Sequence, residues 1–309
     1  MKCLIKFRKV SLTLLSILFL GQVSLAGNIY TPHERHQRLG VIDTVTGTFT
    51  DVGSFELPES VLIPEMAVDI DGTLYGLVNR RGTPNGLSQL VIIDKATAQV
   101  TPVGFPNTIN LMAFDIGPDG TAYAAGFNAP AGGWIGDSNL YSIDKATGEL
   151  TLIGETGVDR LMDLAIDSSG TMWGSAGHTV TDNELYVIDT STGAAQHAVT
   201  ITGVDAAMTD PNTAIMGIMF DENDVLYATA WSLIESSPLF IVDTVTGQAT
   251  LAAQVEMTLP HGAAYEATVA EQTAGKIYTP HSRAKRLGAI DTATGTFTDG
   301  GEVYPLGRE

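Results

Sequence analysis

Residues 140–154, LYSIDKATGELTLIG, decide the fold, because the same frame returns five more times. Asp43, Asp94, Asp144, Asp189, Asp243 and Asp291 each follow Ile or Val, with a leucine four residues earlier (Leu39, Leu90, Leu140, Leu185, Leu239 and Leu287) and Thr three residues later. Gly comes next in five copies, and Ala98 is the exception. An apolar run, a turn rich in Asp, Thr and Gly, and a second apolar run make a β-hairpin. The Asp residues are 51, 50, 45, 54 and 48 apart, a period that belongs to stacked or radial repeats.

A second hairpin stands upstream of each frame. It is visible in Met66-Ala67-Val68-Asp69, Met112-Ala113-Phe114-Asp115, Leu164-Ala165-Ile166-Asp167 and Ile218-Met219-Phe220-Asp221, each followed by polar turn residues and a short strand. That strand carries an aromatic: Tyr30, Tyr75, Tyr123, Trp173, Tyr227 or Tyr278. One equivalent aromatic per unit is what packing between repeats demands, so these rings are expected in the core rather than at a ligand. Four short strands in each unit of about 40 to 50 residues predict an all-β chain, a β-propeller of about six four-stranded blades.

Residues 29–53 and 277–301 match at 19 of 25 positions. The first copy lacks an innermost strand, whereas the last, from about His261, has all four. Either the ring begins and ends on a duplicated blade, which is the expectation taken here, or the sequence begins another round of the repeat. Only Glu302 to Glu309 follow the last blade, a short tail from which to complete the first.

The frame Leu-x-x-Ile-Asp-x-x-Thr-Gly resembles the repeats of secreted bacterial propellers of the quinoprotein-like and YVTN-like type, over essentially all of residues 27–309. The resemblance implies a fold and leaves activity open. Quinone-dependent members carry a tryptophan four positions after the turn glycine. Here Asp51, Leu152, His197, Leu251 and Asp299 occupy those positions, so no quinone, and no other cofactor, is expected.

The first 26 residues carry an export signal. Lys2, Lys6, Arg8 and Lys9 precede an apolar run from Val10 to Leu20, and Ser24-Leu25-Ala26 offers small residues for cleavage. The expectation is a signal peptide over 1–26, a single propeller domain over 27–309 and a secreted or periplasmic location. The run is too short to span a bilayer, and a monomer with no membrane span is expected.

Among 309 residues, 35 are acidic and 16 basic, a formal charge of −19. That excess of acid argues against nucleic acid and anionic lipid as partners. A single cysteine excludes a disulfide framework and a Cys-based zinc site. There is no G-x-S-x-G, H-E-x-x-H or phosphate-binding glycine loop, so nucleophilic or metal-assisted catalysis has no specific support. Carboxylates of the 221–224 turn could take calcium, yet Asp in a turn bonds its own backbone, and no metal is expected.

The sign of charge is unevenly distributed. In a four-stranded antiparallel blade, the first-to-second and third-to-fourth turns share one face of the disk, and here they collect the Asp residues, with Asp69, Asp115, Asp167 and Asp221 assigned to the first-to-second turns. The second-to-third loops and the connections between blades share the other face. They carry His33, Arg35, Arg80, Arg81, Trp134, Arg160, His178, Trp231, His261, His281 and Arg283. Loops on a rigid scaffold are where binding residues concentrate. These eleven are the candidate ligand-binding residues, for a protein partner or a polar or anionic small molecule or glycan. The alternative is a lyase or hydrolase acting on an acidic glycan or small ester, with Arg and His at the channel mouth.

Overall fold

The computed structural model describes residues 27–33, 37–43, 49–58, 61–80, 88–127, 137–177, 182–208, 210, 213–231, 238–253, 264–267, 276–281, 286–291 and 297–302. Four consecutive meanders form blades 2 to 5. Blade 2 holds β4 (Val61–Val68), β5 (Leu74–Arg80), β6 (Ser88–Ile93) and β7 (Val100–Pro102). Blade 3 holds β8 (Asn110–Ile116), β9 (Ala122–Phe127), β10 (Asp137–Ile143) and β11 (Leu150–Asp159). Blade 4 holds β12 (Leu161–Ile166), β13 (Met172–Ala176), β14 (Glu184–Ile188) and β15 (Ala195–Thr200). Blade 5 holds β16 (Ala214–Phe220), β17 (Leu226–Trp231), β18 (Leu239–Val242) and β19 (Ala249–Ala253).

Blade 1 joins the two ends of the described chain. Its outer strands are β1 (Gly27–His33), β2 (Arg38–Asp43) and β3 (Phe49–Ser54), and its innermost strand is β20 (Ala264–Ala267). Antiparallel pairing sets Gly27 opposite Ala267 and Tyr30 opposite Ala264. The ring therefore has five four-stranded blades, not the six expected from the repeat count. The sixth copy forms a separate three-stranded sheet of β21 (Lys276–His281), β22 (Arg286–Asp291) and β23 (Phe297–Glu302). The physical reason is that β20 offers one edge to a second strand. β1 takes it, so the matching β21 is left over, and closure comes from 264–267 rather than from the tail.

The apolar clusters count blades independently, since a blade buries its sheet face only against a neighbour. Tyr30 packs with Leu39, Met66 and Leu74 between blades 1 and 2, and Tyr75 with Ala67 and Phe114 between blades 2 and 3. Tyr123 joins Ala113 and Leu164, and Trp173 joins Ala165, Ile218 and Leu226. Tyr227 closes the circle with Met219, Ile29 and Ile42 between blades 5 and 1. The recurring aromatic is thus core, one ring to each of five junctions.

The repeated turn docks on the preceding blade. Asp144 caps its own turn, its Oδ1 accepting from the backbone N–H of Ala146 at 2.8 Å and Thr147 at 3.1 Å, and Gly148 follows at a φ of 71°. The carbonyl of Thr147 then lies against Gly104 of blade 2, as that of Thr97 does against Gly53 and that of Thr192 against Gly154. Backbone meets backbone at these points. A Cβ on Gly154 would stand 2.0 Å from the Thr192 oxygen. Gly154→Ala is therefore expected to lower stability by about 1–3 kcal/mol, the range for overpacked sites, measured by denaturant unfolding.

Candidate functional site

At the end of the ring that bears the second-to-third connections, one side chain at each of three junctions fixes the next inner strand. The Ser88 hydroxyl accepts from the N–H of Leu111 at 3.0 Å, that of Ser138 from Leu161 at 2.9 Å, and the Asn183 amide oxygen from Ile215 at 2.7 Å. All three side chains are fully buried, so this end is built on a stiff frame. Within it, the Asn79 amide donates to the side-chain oxygen of Asn110 and, at 3.7 Å, to the sulfur of Met112. Met112 packs with Phe127 and Met162, giving the Asn pair an apolar neighbour.

The structure places three sequence-predicted site residues at this same end. Arg80 ends β5 and is exposed, Arg160 links β11 directly to β12, and Trp231 ends β17 half-buried. They come from blade 2, the junction of blades 3 and 4, and blade 5. Arg160 sits at a φ of 53°, and its Nε is enclosed with no acceptor among the described residues. His33 and His281 end β1 and β21 as backbone positions. Arg35, Arg81, Trp134, His178, His261 and Arg283 lie outside the described residues.

A second feature, which sequence reasoning missed, is a set of acids within the inner strands. Glu65 of β4 and Asp163 of β12 are buried to 0% and 1% exposure and hydrogen-bonded to one another. Blades 2 and 4 are not neighbours in a five-blade ring, so this contact reaches across the axis. A hydrogen bond between two carboxyl groups requires a proton on one of them. Asp163 also accepts from the N–H of Leu164 at 2.8 Å and, on its other oxygen, from Ile218 of blade 5 at 2.7 Å. Burial holds its carboxyl well above the usual carboxylate range.

Asp115 makes the same kind of bridge one blade earlier, accepting from Ile116 at 2.8 Å and from Ile166 of blade 4 at 2.7 Å. It belongs to β8 and not to the turn, where the sequence pattern had put it. The turn closes instead between Gly117 and Thr121. Burial pushes the Asp115 carboxyl up to about 7, against the lowering effect of its two backbone donors. The available signal was a lone carboxylate inside an apolar strand, as in Leu-Met-Asp163-Leu-Ala-Ile.

The opposite end of the ring is acidic but partly neutralised. Lys145, just after the Asp of the blade 3 turn, pairs with Asp69 of blade 2, and Lys95 of blade 2 pairs with Glu266 of β20. Glu266 also accepts from the Tyr30 hydroxyl at 3.0 Å. The turn at 221–224 is held by its own backbone, with Asp221 accepting from Asn223 and Val225, and Asp224 reaches Ser168 of blade 4 at 2.7 Å. Among the described residues, no three His, Cys, Asp or Glu side chains form a group that could hold a metal ion. No helix among them is long and apolar enough to cross a membrane. On the rim between blades 2 and 3, a shallow cleft of about 760 Å³ runs beside the exposed Phe105 and Leu152.

No protein-family model matches this sequence, and no curated protein matches it. Among solved structures, the chain is similar to TolB from Acinetobacter baumannii, at 12% identity over 89% of this chain with a TM-score of 0.45, and spans 63% of the length of that chain. It is similar to a chain of a nidogen/laminin complex, at 9% identity over 88% of this chain and 92% of that one, with a TM-score of 0.47. A calcium-binding protein, regucalcin, from Agrobacterium tumefaciens is similar at 15% identity over 76% of each chain, with a TM-score of 0.42.

Proposed function

We propose that this chain is an exported, non-catalytic β-propeller that binds a polar or anionic ligand on the end of the ring bearing Arg80, Arg160 and Trp231. The observation that carries this reading is the state of Arg160. A left-handed backbone costs a non-glycine residue about 1–2 kcal/mol, which glycine would avoid. Here that conformation belongs to an arginine at the junction of blades 3 and 4, with an enclosed Nε that lacks an acceptor among the described residues. Arginine suits a carboxylate or phosphate because its planar fork gives two parallel hydrogen bonds. Trp231 adds a flat apolar surface of the kind a sugar ring or a protein side chain covers.

The test is a calorimetric screen of acidic oligosaccharides and small dicarboxylates against wild type and an Arg80→Ala, Arg160→Ala variant. Binding is expected in the wild type, weakened by salt, and roughly tenfold or more weaker in the variant, as loss of charge-assisted bonds implies. Equal binding by both proteins, or none by either, would leave the charge pattern as a solubility feature.

A second reading, a lyase or hydrolase acting on an acidic glycan or small ester, is favoured by Asp115. Burial pushes its carboxyl up to about 7, within reach of proton transfer at neutral pH, although it lies at the turn end of β8, so its ligand would enter from the end of the ring opposite Arg80, Arg160 and Trp231. Turnover of a bound ligand that stops in Asp115→Asn would favour it over binding alone.

A further inference from the structure

We propose that β1–β3 and β21–β23 are interchangeable suppliers of the outer three strands of blade 1, competing within one chain for the single free edge of β20. Among the described residues, each one that β1 and β2 bury has its identical counterpart in the second copy. Ile29, Tyr30, Thr31, Leu39, Gly40 and Ile42 correspond to Ile277, Tyr278, Thr279, Leu287, Gly288 and Ile290. The internal registers agree as well: Tyr30 faces Val41 as Tyr278 faces Ala289, and Pro32 faces Leu39 as Pro280 faces Leu287. In both copies the register then shifts just before the glycine, Gly40 or Gly288.

Chain connectivity favours the exchange. If β21 took the place of β1, Gly275 would stand opposite Ala267, with seven residues between them. Blades 2 to 5 cross from first to second strand with five residues, as in 69–73 and 117–121, so the segment is long enough. Blade 1 would then be a consecutive meander like the other four. What favours the first copy is apolar contact. Val41 and Val52 pack against the cluster shared with blade 2, where the second copy has Ala289 and Gly300. The two arrangements therefore share the buried residues of the first two strands and differ at one junction, where Val41 and Val52, and Phe55 just beyond β3, have the smaller Ala289, Gly300 and Val303 as counterparts.

Exchange also changes the chemistry of the ring's ligand-facing end. The connector Glu34-Arg35-His36-Gln37 gives way to Ser282-Arg283-Ala284-Lys285, which removes a negative charge and adds a positive one. The exchange itself is argued without the binding reading above, and its test uses no ligand.

The experiment compares full-length variants by peptide-resolved amide hydrogen exchange and thermal unfolding. Leu39, Leu90 and Leu287 occupy one repeat position, and Leu39 and Leu90 are buried there. Leu90→Asp strikes a blade that has no second copy and serves as the reference for an unrescued defect. Leu39→Asp is expected to keep a cooperative transition, with amides of 276–281 exchanging at least tenfold more slowly than in the wild type. Leu287→Asp should leave the transition unchanged, and the double variant should lose it as Leu90→Asp does. If Leu39→Asp is as damaging as Leu90→Asp, or protection never moves to 276–281, the proposal is overturned.

Discussion

Asp163→Ala should destabilise the ring by about 3–5 kcal/mol in denaturant unfolding, the cost of breaking a buried charged network by removing one partner. Three groups lose their acceptor at once: the N–H of Leu164, the N–H of Ile218 and the carboxyl of Glu65. The first lies in blade 4, the second in blade 5 and the third in blade 2, so one truncation loosens three blades. Asp163→Asn keeps one acceptor oxygen and should cost less, about 1–3 kcal/mol. If Asp163→Ala proves no worse than an exposed substitution such as Asp94→Ala, the axial contact contributes nothing to closure.

Stability should fall as pH rises from about 4 to above 7. The sign follows from which state holds the proton. Asp115 keeps its proton up to about 7 when folded, whereas its unfolded value is 3.8, so the folded state binds more protons across that interval. Its contribution is fully present below 3.8 and lost as pH passes the folded value. At about 1.4 kcal/mol per unit this is at most 4 to 5 kcal/mol, less what its partial contact with water returns. Asp163 is shifted in the same direction. The turn residues Asp94, Asp189 and Asp243 act oppositely: backbone and side-chain donors hold them below their usual value, so their contribution disappears as pH falls below about 4. A melting temperature that peaks in mild acid is expected, and Asp115→Asn should flatten its decline toward neutral pH. A melting temperature that climbs from pH 5 to pH 8 would contradict this.

The repeat frame made the blade legible because each unit must bury the same face against the next, and that constraint writes the same Leu, Ile, aromatic and Thr-Gly into every copy. Blade number was not legible for the same reason. Ile29-Tyr30-Thr31 and Ile277-Tyr278-Thr279 are equally good partners for β20, and local pattern cannot say which one the edge accepts. Asp115 was misplaced because Asp-Ile-Gly-Pro-Asp-Gly-Thr contains two acids, and the strand runs one residue past the first. Glu65 and Asp163 were hidden because they meet each other, and Asp163 meets backbone N–H groups, across blades that pattern analysis treats separately. Of the site, the sequence placed Arg80, Arg160 and Trp231 at the ends of their strands and connections, where the blade topology brings them to one end of the ring. A ligand for them would depend on side-chain geometry that no repeat encodes.

The pairing of β1 with β20 also sets an order of events in time. Tyr30 and Glu266 are 236 residues apart, the longest span among the described side-chain bonds. Each of the other four blades can complete its sheet as soon as its own four strands have left the ribosome. Blade 1 must wait for almost the whole ring, and loop closure over that span comes late and slowly. Until then β1 carries an uncovered edge beside the apolar strands of its own hairpin, the state in which newly made β chains find wrong partners. Once formed, the seam is only four residue pairs long, so the last contact to be made is also the natural first one to open.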